Sequence, residues 1–136
     1  MFRGGKGMAR LILLGLVVCV MATTGSSSKV FEDKPCREHP KLVGKCFKVH
    51  GRLSVYNGAP ALRLFNSGTR RVLGISEQRF ALPGYRNVPQ EITSNIDQDK
   101  SLIGDYVVCP FTRQQRGEMQ MICIQSVSNL EVRQNK

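Results

Sequence analysis

The sequence has no tryptophan, only two histidines and an aromatic content of 7%. The lack of tryptophan counts against a dedicated sugar site, because such sites often use flat aromatic faces. The sequence also has no Gly-x-Ser-x-Gly nucleophile motif and no phosphate-binding glycine loop ahead of a helix, which argues against the enzymes built on those motifs. A length of 136 residues allows one domain and excludes a two-domain enzyme, a βαβ dinucleotide enzyme and a capped repeat array.

Acidic residues are missing from His39 to Ser76, a stretch that contains seven lysines and arginines. Metal-dependent phosphodiester chemistry needs carboxylates to hold the metal ion, so this stretch has no such site. The cysteines lack the Cys-x-x-Cys spacing of zinc sites, and residues 97–99 lack the glycine and closing glutamate of a calcium loop. We therefore predict no metal site, no cofactor and no catalytic residue, and we do not expect an enzyme.

No apolar run is long enough to span a bilayer, which takes about 20 residues. The longest run is Leu11–Ala22, and it follows a basic segment that carries Arg3, Lys6 and Arg10. The run ends on small residues at Val20 and Ala22. This pattern predicts a secretory signal peptide over residues 1–22 and a secreted or periplasmic protein. The alternatives are a membrane anchor formed by residues 11–22 and lipidation of Cys19. No stable membrane span is expected after cleavage.

Cysteine usage agrees with export. Residues 23–35 read as a flexible lead-in, and residues 36–136 read as a single disulfide-stapled β-domain. The domain holds four cysteines, namely Cys36, Cys46, Cys109 and Cys123. Four cysteines allow three connectivities, and spacing alone does not decide among them. A hairpin that turns at residues 113–117 favours a Cys109–Cys123 bond, because it places these residues opposite each other. A Cys36–Cys46 bond then remains by subtraction.

Apolar residues alternate with polar ones in several short segments, which predicts strands. Lys45–Tyr56, Ala61–Phe65 and Arg70–Ile75 form a meander separated by turn sequences. An irregular connection follows, with room for a short helix in residues 91–103. Two further strands, at residues 105–112 and 118–127, form a carboxy-terminal hairpin. This order predicts an all-β fold, a small five-stranded barrel like that of oligonucleotide/oligosaccharide-binding (OB) proteins. A small open β-sandwich is the alternative.

Four segments carry a resemblance to other proteins. They read CFKVHGRL (46–53), YNGAP (56–60), GTRRVLGI (68–75) and VCPFT (108–112). Together they resemble a set of small exported bacterial proteins of unknown function. The resemblance covers most of the predicted domain. It implies one compact exported domain, and it implies no activity and no functional residue.

Basic and aromatic side chains share one face of the predicted meander. Strand alternation assigns to this face the candidate ligand-binding residues Lys48, His50, Arg52, Arg63, Phe65 and Arg70. Such a surface suits a phosphate or sulfate backbone, an acidic glycan or an anionic lipid headgroup. We therefore expect a non-catalytic binding module of the cell envelope, with an anionic polymer or envelope component as partner.

Other interpretations remain open. The domain could instead be a protein-interaction or inhibitor module that presents a loop such as Ala81–Pro89 to a secreted or periplasmic protein. A hydrolase that uses His50 is a third interpretation. The basic side chains also fit a plain solvated surface. The sequence gives no oligomeric state.

Overall fold

The structure is a computed structural model that describes Gly25 and residues 32–75 and 78–136. The predicted signal peptide, with the alternatives at residues 11–22 and Cys19, lies outside the described residues. Most regular structure is β. The strands are β1 (Phe47–Val55), β2 (Leu62–Asn66), β3 (Val72–Ile75), β4 (Lys100–Pro110) and β5 (Gln120–Gln134). A 3-10 helix spans Cys36–Glu38, and one short helix, α1, spans Gln90–Thr93.

The five strands form one sheet whose pairings close into a ring in the order β1-β2-β3-β5-β4. The first three strands are an antiparallel meander, and β4 and β5 are an antiparallel hairpin. The ring closes because β1 also pairs with β4 and β3 pairs in parallel with β5. The predicted meander, short helix and hairpin are thus present in the predicted order.

Gly51 is the first residue of β1 that pairs with two strands, because the residues before it pair with β4 alone. It is opposite Asn66 of β2 and Gly104 of β4. A Cβ atom at position 51 would lie 2.2 Å from the backbone oxygen of Phe65, far inside van der Waals contact. Only glycine allows β2 to approach β1 this closely, so the residue is required by the packing of the sheet.

The core lies inside the ring. Along β1, Val49 and Leu53 are buried while Lys48, His50 and Arg52 are exposed, as strand alternation predicts. Every strand contributes fully buried side chains, including Leu53, Leu64, Leu73, Ile75, Leu102, Tyr106, Val108, Ile122 and Ile124. Ile92 of α1 joins this cluster, so the connection between β3 and β4 packs against it. Burial of each such side chain contributes about 1.5–3 kcal/mol to folding.

The carboxy-terminal hairpin is longer than the sequence predicts. β4 begins at Lys100 and β5 continues to Gln134, whereas the sequence predicts a strand from residue 105 and a tail from residue 129. Residues 100–103 of β4 pair with residues 131–134 of β5. The prediction failed because residues 129–134 are exposed or half-buried, and without an apolar face the segment reads as a tail.

Both predicted disulfides are wrong. The bonds are Cys36–Cys123 and Cys46–Cys109, in place of Cys109–Cys123 and Cys36–Cys46. The predicted hairpin register is correct, because Cys109 is opposite Cys123. However, β4 lies between β5 and β1, and Phe47 pairs with Val108, so Cys46 adjoins Cys109 on the other side. Cys123 bonds instead to the 3-10 helix.

Besides its two disulfides, the segment before the first strand contacts the domain through Lys34 and His39. Lys34, in the expected lead-in, forms an isolated bridge with Tyr85. His39 is buried, and its Nδ1 accepts a hydrogen bond from the Lys41 backbone N–H. Its Nε2 therefore carries the proton and donates to the Phe80 carbonyl at 3.0 Å. Among residues that the structure describes, no helix is long and apolar enough to cross a membrane.

Candidate ligand-binding face

The outer surfaces of β1, β2 and β4 form one continuous face. We use the name basic face for the side chains of Lys48, His50, Arg52, Tyr56, Arg63 and Phe65, which the first two strands and their turn place on this surface. Arg52 lies between Phe65 of β2 and Ile103 of β4. Sheet pairing thus places basic and aromatic side chains side by side.

Two arginines on the basic face lie over aromatic rings. The Arg52 guanidinium carbon is 5.3 Å from the centre of the Phe65 ring, and that of Arg63 is 5.1 Å from the Tyr56 ring. The two rings are 5.8 Å apart and tilted by 55°. Arg63 Nε also donates to the Pro60 carbonyl at 3.1 Å. Cation–π contacts of this kind hold both guanidinium groups in place, and N–H groups remain on each for an oxyanion.

A surface cavity of about 420 Å³ adjoins Arg52. Its lining includes Arg52, Ser54, Tyr56, Ser101, Arg133 and Asn135. The hydroxyl groups of Ser54 and Ser101 are buried and 2.8 Å apart, and Ser101 donates to Asn135 Oδ1 at 2.6 Å. Since that proton is committed to Asn135, Ser54 donates to Ser101. The polar groups on the floor of the cavity are therefore bonded to one another. Arg133 is paired with Glu131, so Arg52 is the arginine of this lining that remains for a ligand.

His50 has a carboxylate partner that the sequence did not suggest. Its Nδ1 is 2.7 Å from Asp105 Oδ1, and both side chains are exposed. Asn129 Nδ2 donates to the other oxygen of Asp105 at 2.8 Å. These two contacts, with Asn129 the larger cause, hold the pKa of Asp105 below its ordinary value. Asp105 fixes the imidazole by one nitrogen and leaves Nε2 directed away from the carboxylate.

The predicted ligand-binding residues fall into two groups. Lys48, His50, Arg52, Arg63 and Phe65 lie together on the basic face. Arg70 does not join them, because it precedes β3 in the turn after β2. It lines another surface cavity, of about 410 Å³, with Arg71, residues 114–119 of the β4–β5 connection and Gln120 of β5.

Several residues of this face were not predicted. Asp105, Ser101 and Arg133 come from β4 and β5, far along the chain from β1. Only the pairing of β1 with β4 brings His50 opposite Asp105 and Ser54 opposite Ser101. The sequence does contain one signal for this pairing. Each strand has a glycine, and Gly51 lies opposite Gly104 where the two strands pair.

Three sulfur atoms, of Cys36, Cys109 and Cys123, lie within 4.8 Å of one another. Such a cluster has the composition of a thiolate metal site. All three are bonded in disulfides, and a disulfide sulfur is not a thiolate ligand. In this state the three cysteines cross-link the sheet and offer no thiolate ligand.

Comparisons with protein-family models, curated proteins and solved structures give no match. The resemblance to small exported proteins stays a prediction.

Proposed function

We propose that the chain is an exported, non-catalytic binding module that recognises anionic ligands through its basic face. The observation that supports this most is the row Arg52, Phe65, Tyr56 and Arg63, in which each guanidinium lies over a ring. Binding usually costs entropy because side chains at the site must become ordered. Here the rings already hold the two guanidinium groups in the free protein, which lowers that cost. The two disulfides are consistent with an oxidising compartment.

We further propose that the closed ring is an OB-type barrel with its ligand face displaced. Such barrels bind ligands around strands two and three. Here a Cβ at Gly74 of β3 would lie 2.7 Å from the Pro60 side chain and 2.8 Å from Met119 sulfur. Proline and methionine therefore cover the outer side of β3 at this point. The open basic surface lies instead over β1, β2 and β4.

The geometry favours oxyanion recognition over base stacking. One face of each ring is occupied by an arginine, and the two rings are tilted toward each other. Acidic groups nearby are already paired, since Asp105 bonds His50 and Asn129 and Glu131 bonds Arg133. Sulfate or phosphate groups along a polymer fit this arrangement, and Lys48 extends the charge along β1.

Salt-dependent binding of heparin and single-stranded DNA to the oxidised protein tests the proposal. The Arg52→Ala/Arg63→Ala protein removes the two ring-supported cations. The matched control, Arg113→Ala/Arg116→Ala, removes two exposed cations from the β4–β5 connection. For single-stranded DNA, loss of two phosphate contacts lowers the slope of log affinity against log salt by about 1.4. We expect this change only in the first protein. Equal effects of the two pairs would show that net charge alone drives binding.

A protein-interaction or inhibitor module is the second candidate, and the Ala81–Pro89 loop favours it. The loop is anchored: Lys34 N–H donates to the Gly84 carbonyl, and Ile124 N–H donates to the Asn87 carbonyl. It borders a cavity of about 440 Å³. A rigid loop loses little entropy when it docks on a partner. Binding to a secreted protein that persists at high salt, and that Tyr85→Ala abolishes, would support this candidate instead.

A further inference from the structure

One edge of β5 is open over its second half. β3 pairs with β5 only from Gln120 to Ile122, while β4 pairs with β5 as far as Gln134. On the edge away from β4, no strand among residues 32–75 and 78–136 continues the sheet beyond Ile122. Residues 128–134 are exposed apart from half-buried Leu130. Open strand edges readily pair with other chains.

The backbone groups on this edge can be assigned. Asn135 N–H donates to the Asp99 carbonyl at 2.7 Å, on the β4 side. Hydrogen-bonding direction alternates along a strand in an antiparallel pair. The N–H and C=O groups of Val132 and Gln134 therefore point away from β4, toward the open edge. A partner strand is needed to satisfy them within a sheet.

The last residues of this edge lack several of the usual protections. Residues 131–134 read Glu-Val-Arg-Gln, with no proline and no lysine, and they pair regularly with β4, because the irregularity in this pairing lies before them at residues 129–130. Natural edges are commonly blocked by these features. The Val132 side chain is 45% exposed. Among the described residues, Val132 and Val43 are the two exposed large hydrophobic residues.

We propose that a second copy of this chain occupies the edge, through antiparallel pairing of β5 with β5 about a twofold axis at Val132. The argument is charge complementarity. In such a pair, residue 131 of one copy lies opposite residue 133 of the other. Glu131 of each copy then meets Arg133 of the second copy, on the same face of the sheet. The ion pair between Glu131 and Arg133 within one copy, at 2.9 Å, becomes part of a square of alternating charges.

The axis also places Val132 opposite its own copy, which covers an exposed apolar side chain. An isologous contact of this kind closes as a dimer and does not propagate. Because the axis is perpendicular to the sheet, the outer faces of both copies lie on the same side. Two basic faces would then border one continuous surface. The pairing itself does not depend on the proposed function, and the failure of either leaves the other standing.

Charge variants test the proposed pairing. Glu131→Arg places arginine opposite arginine, and Arg133→Glu places glutamate opposite glutamate. Like charges directly opposite each other destabilise a strand pair. We therefore expect the dissociation constant of the dimer, measured by sedimentation velocity, to rise about tenfold in each variant. The two variants are complementary to each other, and their mixture should form a heterodimer. The exchanged protein, Glu131→Arg/Arg133→Glu, should dimerise like the wild type.

The backbone contribution is tested by Val132→Pro. The lost N–H points to the open edge, so pairing with β4 is kept, and proline is tolerated there. We expect a folded monomer by circular dichroism and sedimentation. Heterodimer formation also shows that the two charge variants are folded. A wild-type protein that stays monomeric at high concentration, or a dimer unchanged by all these variants, would overturn the proposal.

Discussion

Cys109 lies directly opposite Cys123 in the pairing of β4 with β5, yet each is bonded to a different cysteine. Cys109 bonds Cys46 beside β1, and Cys123 bonds Cys36 in the 3-10 helix. The Cα atoms are 4.0 Å apart in the first bond and 5.8 Å apart in the second. The two bonds therefore tie β4 to β1 and the amino-terminal segment to β5, and leave the hairpin to its own backbone hydrogen bonds.

The connectivity is the first prediction. Peptide mapping of the oxidised protein at acidic pH, which prevents exchange, should recover Cys36 with Cys123 and Cys46 with Cys109. The bonds span 87 and 63 residues of chain. Removing one by Cys36→Ser/Cys123→Ser should lower the free energy of unfolding by about 2–5 kcal/mol, because the unfolded chain gains freedom. Recovery of a Cys109–Cys123 peptide would contradict the structure.

Local patterns predicted the local parts of this fold. Alternation in β1 separated buried Val49 and Leu53 from exposed Lys48 and Arg52, and the turn at residues 113–117 gave the register of the hairpin. Both depend on residues close in the chain. Strand periodicity has the same physical cause wherever it occurs, so these features can be read without the rest of the molecule.

The non-local parts could not be read in this way. The contact between His50 and Asp105, which are 55 residues apart in the chain, depends on the pairing of β1 with β4. The same pairing brings Cys46 beside Cys109 and so decides the disulfides. Strand alternation predicts Arg70 on the basic face, but Arg70 lies in a turn, where alternation has no basis. The sequence predicts a shorter β5 because the last residues of this strand have no buried face.

Gly51→Ala should weaken the domain. The new methyl group would lie 2.2 Å from the Phe65 backbone oxygen, so β1 and β2 have to separate. Overpacking against a backbone costs about 1–3 kcal/mol, and we expect the upper part of that range in denaturant unfolding. Gly44→Ala is the matched control, because its Cβ would make an ordinary contact of 3.4 Å with Pro110. Equal stability of the two variants would contradict the close approach of β1 and β2.

Tyr106→Phe tests a buried hydrogen bond in the core. The Tyr106 hydroxyl donates to the Leu102 carbonyl at 2.6 Å, and burial raises the pKa of the phenol above its ordinary value. The variant keeps the ring and removes the donor. The free energy of unfolding should fall by about 1–3 kcal/mol, because a buried carbonyl loses a partner. Unchanged stability would show that the bond contributes nothing net.

Phe65→Leu tests whether the ring supports Arg52 on the basic face. Leucine keeps an apolar side chain and removes the ring under the guanidinium. An exposed cation–π contact is worth about 0.5–1 kcal/mol, so heparin affinity should fall about twofold to fivefold while the net charge stays the same. Phe80→Leu, which affects the ring under Arg79 away from this face, should leave affinity unchanged. Equal losses in both variants would argue against the row of arginines and rings as the binding element.

The pKa of Asp105 is the last prediction. Asn129 and His50 stabilise its carboxylate and hold the pKa below the ordinary value of 3.8. A lowered pKa in the folded state means that the carboxylate adds stability above the unfolded value. That stability is lost as the pH falls through the folded pKa. Carboxyl NMR titration should therefore give a midpoint below 3.8 in the wild-type protein.

Asn129→Gly should raise the pKa of Asp105. The backbone at residue 129 has a positive φ of 52°, which glycine accepts, so the variant removes the amide without adding strain. Asn95→Ala is the control, since that side chain donates to the Glu91 carbonyl and lies away from Asp105. If Asn129→Gly left the midpoint of Asp105 unchanged, the amide would not be what holds the carboxylate, and the fixed position of His50 would depend on the imidazole contact alone.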